Sequence, residues 1–356
     1  MNKPDYTFLL HELTGNKIEV YLDQLKQGHQ HPGSYLQKKL VNVNLESLNV
    51  HSFLNCLLKT KKPQIFAESQ VRGDGTDWNY SELSILGDIS VHVPVKIYDN
   101  GKHASPLVYE NPLQGDLIYV PGALLRSSVE GTPVDFIEIT RNGKINIDTY
   151  IGLYERRLLP PLLHINKMCQ EEGSMAVVTV PGLGCGQFAG RFQGQLGALL
   201  EKALLSILKK HSSKLKSVRA VYFDPYNECG NRRYEVEGIA YLVRPLTKGN
   251  TNKSQLSHPI TLQDKGDDFS NCRLFSIVAW DHVSWPGNDF YIGSRATDDG
   301  VKAAATDSMF KMTGIKGKYD SLENKYLPPV RFKYWQDVIK EYQIKLHIDD
   351  NLYIYD

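Results

Sequence analysis

The strongest constraint on the fold is the order of apolar segments between Met175 and Phe223. Met175–Val180 is a short apolar run with the length of a strand that is buried on both faces. A glycine-rich loop follows it, and leucine and alanine residues then recur at helical spacing from Leu196 to Leu208. Val218–Phe223 is a second short apolar strand. This order is a βαβ unit, which predicts parallel pairing of the two strands in a layered α/β fold.

The stretch from Gln64 to Ile147 combines short strands with tight turns. Residues that are β-branched or aromatic predict strands at Val91–Tyr98, Asp116–Val120 and Val134–Thr140. Turn-forming residues such as Asn and Gly separate these segments. This part of the chain is therefore expected to add strands to the sheet that begins with the βαβ unit.

Helical periodicity is weaker in the first 60 residues, where it is clearest around Tyr6–Leu13 and Ile18–Leu25. A longer helix is predicted at Tyr150–Cys169, with an interruption near Pro160 and Pro161. Another helix is expected at Val301–Met312, which follows a loop rich in acidic residues.

These segments predict three parts of the chain. Residues 1–60 form a partly helical N-terminal extension, and residues 346–356 form a C-terminal tail. Residues 61–345 form one α/β domain, in which a strand-rich part (61–150) packs on a core (151–345). A length of 356 residues is sufficient for a large core.

Charge and cysteine usage exclude several classes of function. The formal net charge is +1, so the chain has no global field that attracts nucleic acid or an anionic membrane. The cysteines form no CxxC pair, which argues against a zinc site or a disulfide framework and favours a reducing compartment. No stretch is apolar for long enough to predict a membrane helix, and the first ten residues lack a signal-peptide pattern. The five cysteines are Cys56, Cys169, Cys185, Cys229 and Cys272.

The loop between the first strand and the helix of the βαβ unit is a candidate anion site. Gly182, Gly184 and Gly186 alternate with other residues, and Gly190 follows before the helix begins. Glycines let the backbone expose its N–H groups without a β-carbon in the way, and the nearby helix start adds partial positive charge. The spacing fits neither the Walker loop nor GxGxxG. A tight connection without a ligand is the alternative interpretation.

A second candidate site is the acidic segment that follows the apolar strand Leu274–Trp280. Asp281, Asp289 and Asp299 lie in a loop that also carries several aromatic residues. Carboxylates among aromatic side chains lose hydration, which raises their pKa and suits one of them for acid or base catalysis. Structural alternatives remain: Asp298 or Asp299 as a helix N-cap, Asp289 in a turn, and Asp281 in an ion pair.

The segment Thr179–Gly190 resembles the second phosphate loop of macrodomains, in which backbone N–H groups hold the diphosphate of ADP-ribose. The resemblance implies ADP-ribose binding by the loop residues Gly182, Gly184, Cys185, Gly186, Gln187, Phe188 and Gly190. Cys185 replaces a common threonine, and its thiol beside a helix start is an alternative nucleophile.

The whole pattern is most similar to the family of macrodomain-like ADP-ribosylarginine hydrolases typified by the bacterial effector MavL. In that family three loop aspartates at a spacing of eight and ten are credited with catalysis, and Asp281, Asp289 and Asp299 have this spacing. The resemblance also implies ligand binding by Asp298 and an adenine contact for Asp88, although a surface turn is the alternative for Asp88. The acidic loop follows the phosphate loop, whereas macrodomains have the reverse order, and a circular permutation explains this.

The resemblance implies a macrodomain-like mixed sheet between helices and an enzyme that removes ADP-ribose from modified arginine side chains. Its partners would be ADP-ribose and an ADP-ribosylated protein, with no cofactor, metal, nucleic acid or membrane. The expected location is cytoplasmic, or the cytosol of a host if the protein is delivered as an effector. Two alternatives are an ADP-ribose reader without turnover and a hydrolase of another linkage, either a Glu/Asp ester or an ADP-ribose phosphate.

Overall fold

The computed structural model describes residues 3–63, 70–127 and 131–356. Its strands are β1 Thr7–His11, β2 Ser90–Asp99, β3 Val108–Pro121, β4 Thr140–Arg141, β5 Lys144–Ile145, β6 Met175–Pro181, β7 Val218–Asp224, β8 Arg232–Val236, β9 Ile239–Val243, β10 Cys272–Trp280, β11 Lys318–Asp320, β12 Lys325–Leu327 and β13 Leu352–Tyr355.

Its α-helices are α1 Glu12–Lys26, α2 Ser34–Leu40, α3 Val50–Leu58, α4 Tyr80–Gly87, α5 Val134–Ile139, α6 Ile147–Glu172, α7 Leu196–His211, α8 Pro259–Leu262, α9 Asp298–Ala305, α10 Ser308–Thr313 and α11 Trp335–Tyr342. Short 3₁₀ helices lie at Leu45–Ser47, Gln187–Phe192, Ser212–Lys214 and Asn288–Ile292. Among the described residues, no helix has the length and apolar character that crossing a bilayer requires.

Nine strands of the described residues form one mixed sheet, in the order β13-β1-β2-β3-β10-β6-β7-β9-β8. The neighbours β3, β10, β6, β7 and β9 are parallel, whereas β2 is antiparallel to both β1 and β3. The carboxyl ends of β3, β10, β6 and β7 therefore lie at the same edge of the sheet. The expected α/β fold, with a mixed sheet between helices, is confirmed.

The predicted βαβ unit is present as β6, α7 and β7, and its strands pair in parallel. Apolar residues pack on both faces of the sheet, which explains the continuous apolar runs in the central strands. In β10, for example, Leu274 and Val278 belong to one core, whereas Phe275 and Ile277 belong to the other.

The prediction of a helix at Tyr6–Leu13 is wrong for its first half, because Thr7–His11 is the strand β1. β1 pairs with β2 and with β13, so both the N-terminal segment and the C-terminal tail add strands to the sheet. Phe8 and Leu10 are buried in one core and Leu9 in the other. A five-residue segment that is buried on both faces shows no hydrophobic periodicity by which a strand could be distinguished from a helix.

The predicted strand Val134–Thr140 is instead the helix α5, which begins directly after Pro133. The buried carboxylate of Asp135 receives hydrogen bonds from Arg157 and from the Leu124 N–H (2.8 Å). These tertiary contacts outweigh the β-propensity of the segment.

The predicted interruption at Pro160 and Pro161 is also wrong, because α6 continues through both prolines without a break. Both side chains are buried. Packing therefore compensates for the hydrogen bonds that two prolines remove from a helix.

Candidate active site

The glycine loop and the acidic loop begin side by side. The glycine loop follows β6 and the acidic loop follows β10, and these two strands are parallel neighbours, with Thr179 opposite Ser276. β10 lies between β3 and β6 although it comes after both in the chain. Ligands of α/β proteins commonly bind at the carboxyl ends of strands where the strand order changes in this way.

Close backbone packing holds the glycine loop against the residues that follow β3. A β-carbon on Gly122 would lie 2.5 Å from the Gly184 nitrogen, and one on Gly184 would lie 2.8 Å from the Ala123 carbonyl oxygen. Gly184 also has a positive φ of 72°, which favours glycine. The Tyr154 hydroxyl donates to the Leu183 carbonyl (2.7 Å) and accepts from the Ala123 N–H (3.1 Å). The sequence pattern thus reflects a closely packed turn.

Three consecutive N–H groups are available at the exposed end of this turn. Within the described part of the chain, no acceptor faces the N–H groups of Gly186, Gln187 or Phe188. Successive unpaired N–H groups form concave sites for anions. Arg126 Nη1 donates to Oε1 of Gln187 (2.9 Å), which brings a guanidinium to the same turn. The turn is therefore suited to a phosphate group.

Cys185 does not have the features of a nucleophile. Burial raises the pKa of its thiol well above the ordinary value, and the negative charges of Glu228 and Cys229 act in the same direction. The prediction that a helix start could activate this thiol is wrong, because loss of hydration dominates.

Asp281, Asp289 and Asp299 share one buried region behind the acidic loop. Their exposed fractions are 2%, 3% and 1%. Burial raises the pKa of Asp299 well above its ordinary value, and the charges of Asp289 and Asp281 raise it further. The charges of the other two carboxylates therefore act directly on Asp299. The aromatic residues around them are buried too: Trp280, Trp285, Phe290 and Tyr291.

Asp281 organises the first turn of the acidic loop. Its Oδ1 accepts from the N–H groups of Val283 (2.8 Å) and Ser284 (2.7 Å). Its Oδ2 accepts from the Ser284 hydroxyl and from Nδ2 of Asn288 (3.0 Å). The carboxylate is thus held in a single orientation directly after β10.

Asp299 and Asp289 tie the loop to the start of α9. The Gly287 and Asn288 N–H groups donate to Asp299 at 2.7 and 3.1 Å. Asp289 accepts from the N–H (3.1 Å) and the hydroxyl (2.9 Å) of Thr297. Thr297 is also the N-cap of α9, so neither Asp298 nor Asp299 has that role. The acidic loop itself therefore supplies the hydrogen-bond donors that hold both carboxylates.

Asp298 is directed towards β10. Its Oδ2 accepts from the Ala279 N–H (2.8 Å) and from Nζ of Lys302 (3.1 Å). Lys302 is itself buried and donates to the Ile277 carbonyl (2.6 Å). These bonds fasten α9 to β10, and ligand binding by Asp298 stays a prediction.

Asp88 is buried in a cationic network, so the alternative of a surface turn is wrong. It accepts from the hydroxyl of Thr14 (2.9 Å) and from Lys17 (2.8 Å), Arg156 (3.1 Å) and Arg157 (3.4 Å). Burial alone would raise its pKa, but the three positive charges hold it well below the usual range. An adenine amino group would compete with these cations, and the adenine contact stays a prediction.

Lys61 and Arg126 lie at the site but outside the motifs that identified it. Nζ of Lys61 donates to the His282 carbonyl (2.6 Å), next to Asp281. In the sequence Lys61 is one of several scattered cations, and only its burial distinguishes it. Burial of this kind depends on contacts across more than two hundred residues, which no local pattern reveals.

A family model described as "Macrodomain effector MavL" matches residues 6–332 of the chain. The match spans β1 to β12 and includes both loops. Comparison with curated proteins gives no significant match.

Proposed function

This chain belongs to the MavL family of macrodomain effectors, and we propose that it removes ADP-ribose from modified arginine side chains of proteins. Family membership relates the chain to ADP-ribose. The finer proposal concerns the linkage that is cleaved and the residues that cleave it. In this proposal, the turn at residues 182–190 binds the diphosphate of ADP-ribose. The carboxyl groups of Asp281, Asp289 and Asp299 act at the distal ribose.

The observation that carries the proposal is the position of the two loops on neighbouring parallel strands. ADP-ribose has a diphosphate in its middle and a reactive anomeric carbon at one end. The N–H groups of Gly186, Gln187 and Phe188, which meet no acceptor among the described residues, suit the diphosphate. A buried carboxyl cluster suits the anomeric carbon.

The reaction breaks the bond between the anomeric carbon and a guanidine nitrogen. Positive charge develops on the sugar, and the guanidine leaves with a proton taken from a carboxyl group. Water then adds to the anomeric carbon and returns a proton to that carboxylate. Asp299, whose pKa is raised, is the best candidate to hold the proton that the leaving group takes. Asp281 and Asp289 would stabilise the developing charge and accept the paired N–H donors of the guanidinium.

The acidic cluster favours arginine over other linkages. A guanidinium is cationic and is attracted by several carboxylates. An ester at Glu or Asp and an ADP-ribose phosphate have anionic leaving groups, which the same carboxylates would repel. As a member of an effector family, the protein would act on modified proteins in the cytosol of a host cell.

The test compares substrates with defined linkages. Purified protein is incubated with one protein modified on arginine and another modified on glutamate or aspartate, and released ADP-ribose is measured by mass spectrometry. Affinity for free ADP-ribose is measured by calorimetry. We expect release from arginine only. Binding without any release would identify a reader, and release from the ester alone would identify a different hydrolase.

A further inference from the structure

Lys61 carries a buried amine at the edge of the aspartate cluster. The residue is 5% exposed. Its Nζ lies 4.3 Å from the centroid of the Trp280 ring and donates to the His282 carbonyl (2.6 Å). Lysine is almost never buried to this degree without a compensating partner, because an ammonium loses much of its hydration. A carbonyl and an aromatic face supply part of that compensation.

Backbone bonds fix Lys61 to the same loop that carries Asp281. The Lys62 N–H donates to the Val283 carbonyl (3.1 Å), and the Trp285 N–H donates to the Lys62 carbonyl (2.7 Å). The Trp285 indole N–H also reaches the Lys61 carbonyl (3.3 Å). The segment that carries the amine and the first turn of the acidic loop therefore form one unit.

The charged groups around this amine define its electrostatic setting. Burial lowers the pKa of Lys61 to about 7, and the negative charge of Asp281 opposes that shift. His282 beside it is buried, which lowers its pKa to about 4. The charge of Asp135 from α5 opposes this shift, and that of Arg157 from α6 adds to it. Asp281 is thus the carboxylate that acts directly on the Lys61 amine.

We propose that Lys61 is a positioning residue for ADP-ribose release, whose ammonium holds Trp280, Asp281 and the His282 carbonyl in the reactive arrangement. This inference rests on the proposed function. Lys61 touches none of the reacting atoms, so it acts through Asp281. The reaction should then require Lys61 to be protonated, which makes it sensitive to pH near neutrality.

The experiment uses the substitutions Lys61→Met and Lys61→Arg, with Lys62→Met as the matched control. Methionine keeps an unbranched chain over Trp280 but removes the charge, and arginine keeps the charge at every pH tested. The Lys62 amine lies over the Tyr35 ring instead (5.3 Å). For each protein, kcat and KM for arginine-linked ADP-ribose are measured from pH 5.5 to 9.5. Tryptophan fluorescence is titrated over the same range.

We expect Lys61→Met to lower kcat by roughly 10- to 100-fold with little change in KM, because misplaced catalytic groups lose rate more than binding. Wild-type kcat should fall as pH rises through about 7, where Lys61 loses its proton. Lys61→Arg should lose less activity than wild type as pH rises through about 7, and Lys62→Met should behave as wild type. The wild-type fluorescence change near neutrality should be absent in Lys61→Met.

Two negative outcomes are distinguishable. An active wild type with a Lys61→Met variant of equal kcat and an unchanged pH profile would overturn the role of Lys61 alone. A wild type that releases no ADP-ribose from arginine would overturn the proposed function, and the inference with it. If Lys61→Arg fails to fold, the pH profile and fluorescence of Lys61→Met still decide the question.

Discussion

A β-carbon at position 300 would lie 1.8 Å from Oδ1 of Asp289, so the carboxylate occupies the space that any side chain of residue 300 would need. The hydroxyls of Thr297 and Ser294 donate hydrogen bonds to the same carboxylate. Gly300 therefore lets Asp289 pack on the first turn of α9. Gly300 has no reactive side chain, yet its small size determines where a carboxylate of the proposed reaction lies.

Gly300→Ala should displace Asp289 and lower the rate of ADP-ribose release by roughly 10- to 100-fold, since the carboxylate must move to relieve the overlap. Gly15→Ala is the matched control, because Gly15 is also helical and a β-carbon there meets nothing within 4 Å. Steady-state rates with arginine-linked substrate test this. Equal rates in Gly300→Ala and wild type would show that the position of Asp289 does not matter.

The raised pKa of Asp299 should lower the free energy of unfolding as pH rises. Its pKa is raised above the ordinary value of 3.8. The folded state therefore binds more protons than the unfolded state above that pH, and stability falls until the folded pKa is passed. Each unit of upward shift corresponds to about 1.4 kcal/mol.

Asp299→Asn cannot ionise, so its free energy of unfolding relative to wild type should increase as pH rises above the ordinary aspartate pKa of 3.8. Urea unfolding at several pH values measures that difference. A difference that is independent of pH would contradict the raised pKa.

Gly184→Ala should weaken the binding of ADP-ribose. The added β-carbon would clash with the Ala123 carbonyl, and the turn would have to move its N–H donors. Losing one hydrogen bond to a charged group costs about 1.5–3 kcal/mol, or roughly 10- to 100-fold in affinity. Gly15→Ala is again the control, since a β-carbon there meets no atom within 4 Å and α1 is not part of the turn. Calorimetry with free ADP-ribose would contradict the account if both variants bound alike.

Cys185 should be dispensable for the reaction. Because burial raises the pKa of its thiol, the thiolate should be scarce at neutral pH and alkylation should be slow. Cys185→Ala should release ADP-ribose within about threefold of the wild-type rate, since the backbone of the turn is unchanged. Inactivation by iodoacetamide that Cys185→Ala resists would support a thiol nucleophile instead.

The central part of the fold can be predicted from the sequence because its signals are local. The apolar run of β6, the glycines and the helical stripe of α7 each specify one element, and the βαβ rule then gives the parallel pairing. The glycine loop and the acidic loop lie at the same edge of the sheet because β6 pairs in parallel with β10. That pairing joins segments almost a hundred residues apart, which no local pattern specifies.

The remaining features depend on contacts between distant segments. Val134–Ile139 has a strand-like composition, yet Asp135 is bound by Arg157 and the segment is a helix. Asp88 lies in a turn-like sequence, yet three cations surround it in the interior. Lys61 is unremarkable in sequence and becomes notable only because it is buried beside Asp281.

Release of ADP-ribose from an arginine-modified protein should be compared between wild type and the variants Asp281→Asn, Asp289→Asn and Asp299→Asn. Asp268→Asn is the control, because Asp268 is exposed and precedes β10, at the opposite edge of the sheet from the cluster. We expect release to be abolished in the three cluster variants, while free ADP-ribose still binds and Asp268→Asn stays active. Normal release by all three cluster variants would show that the aspartate cluster is not the catalytic centre.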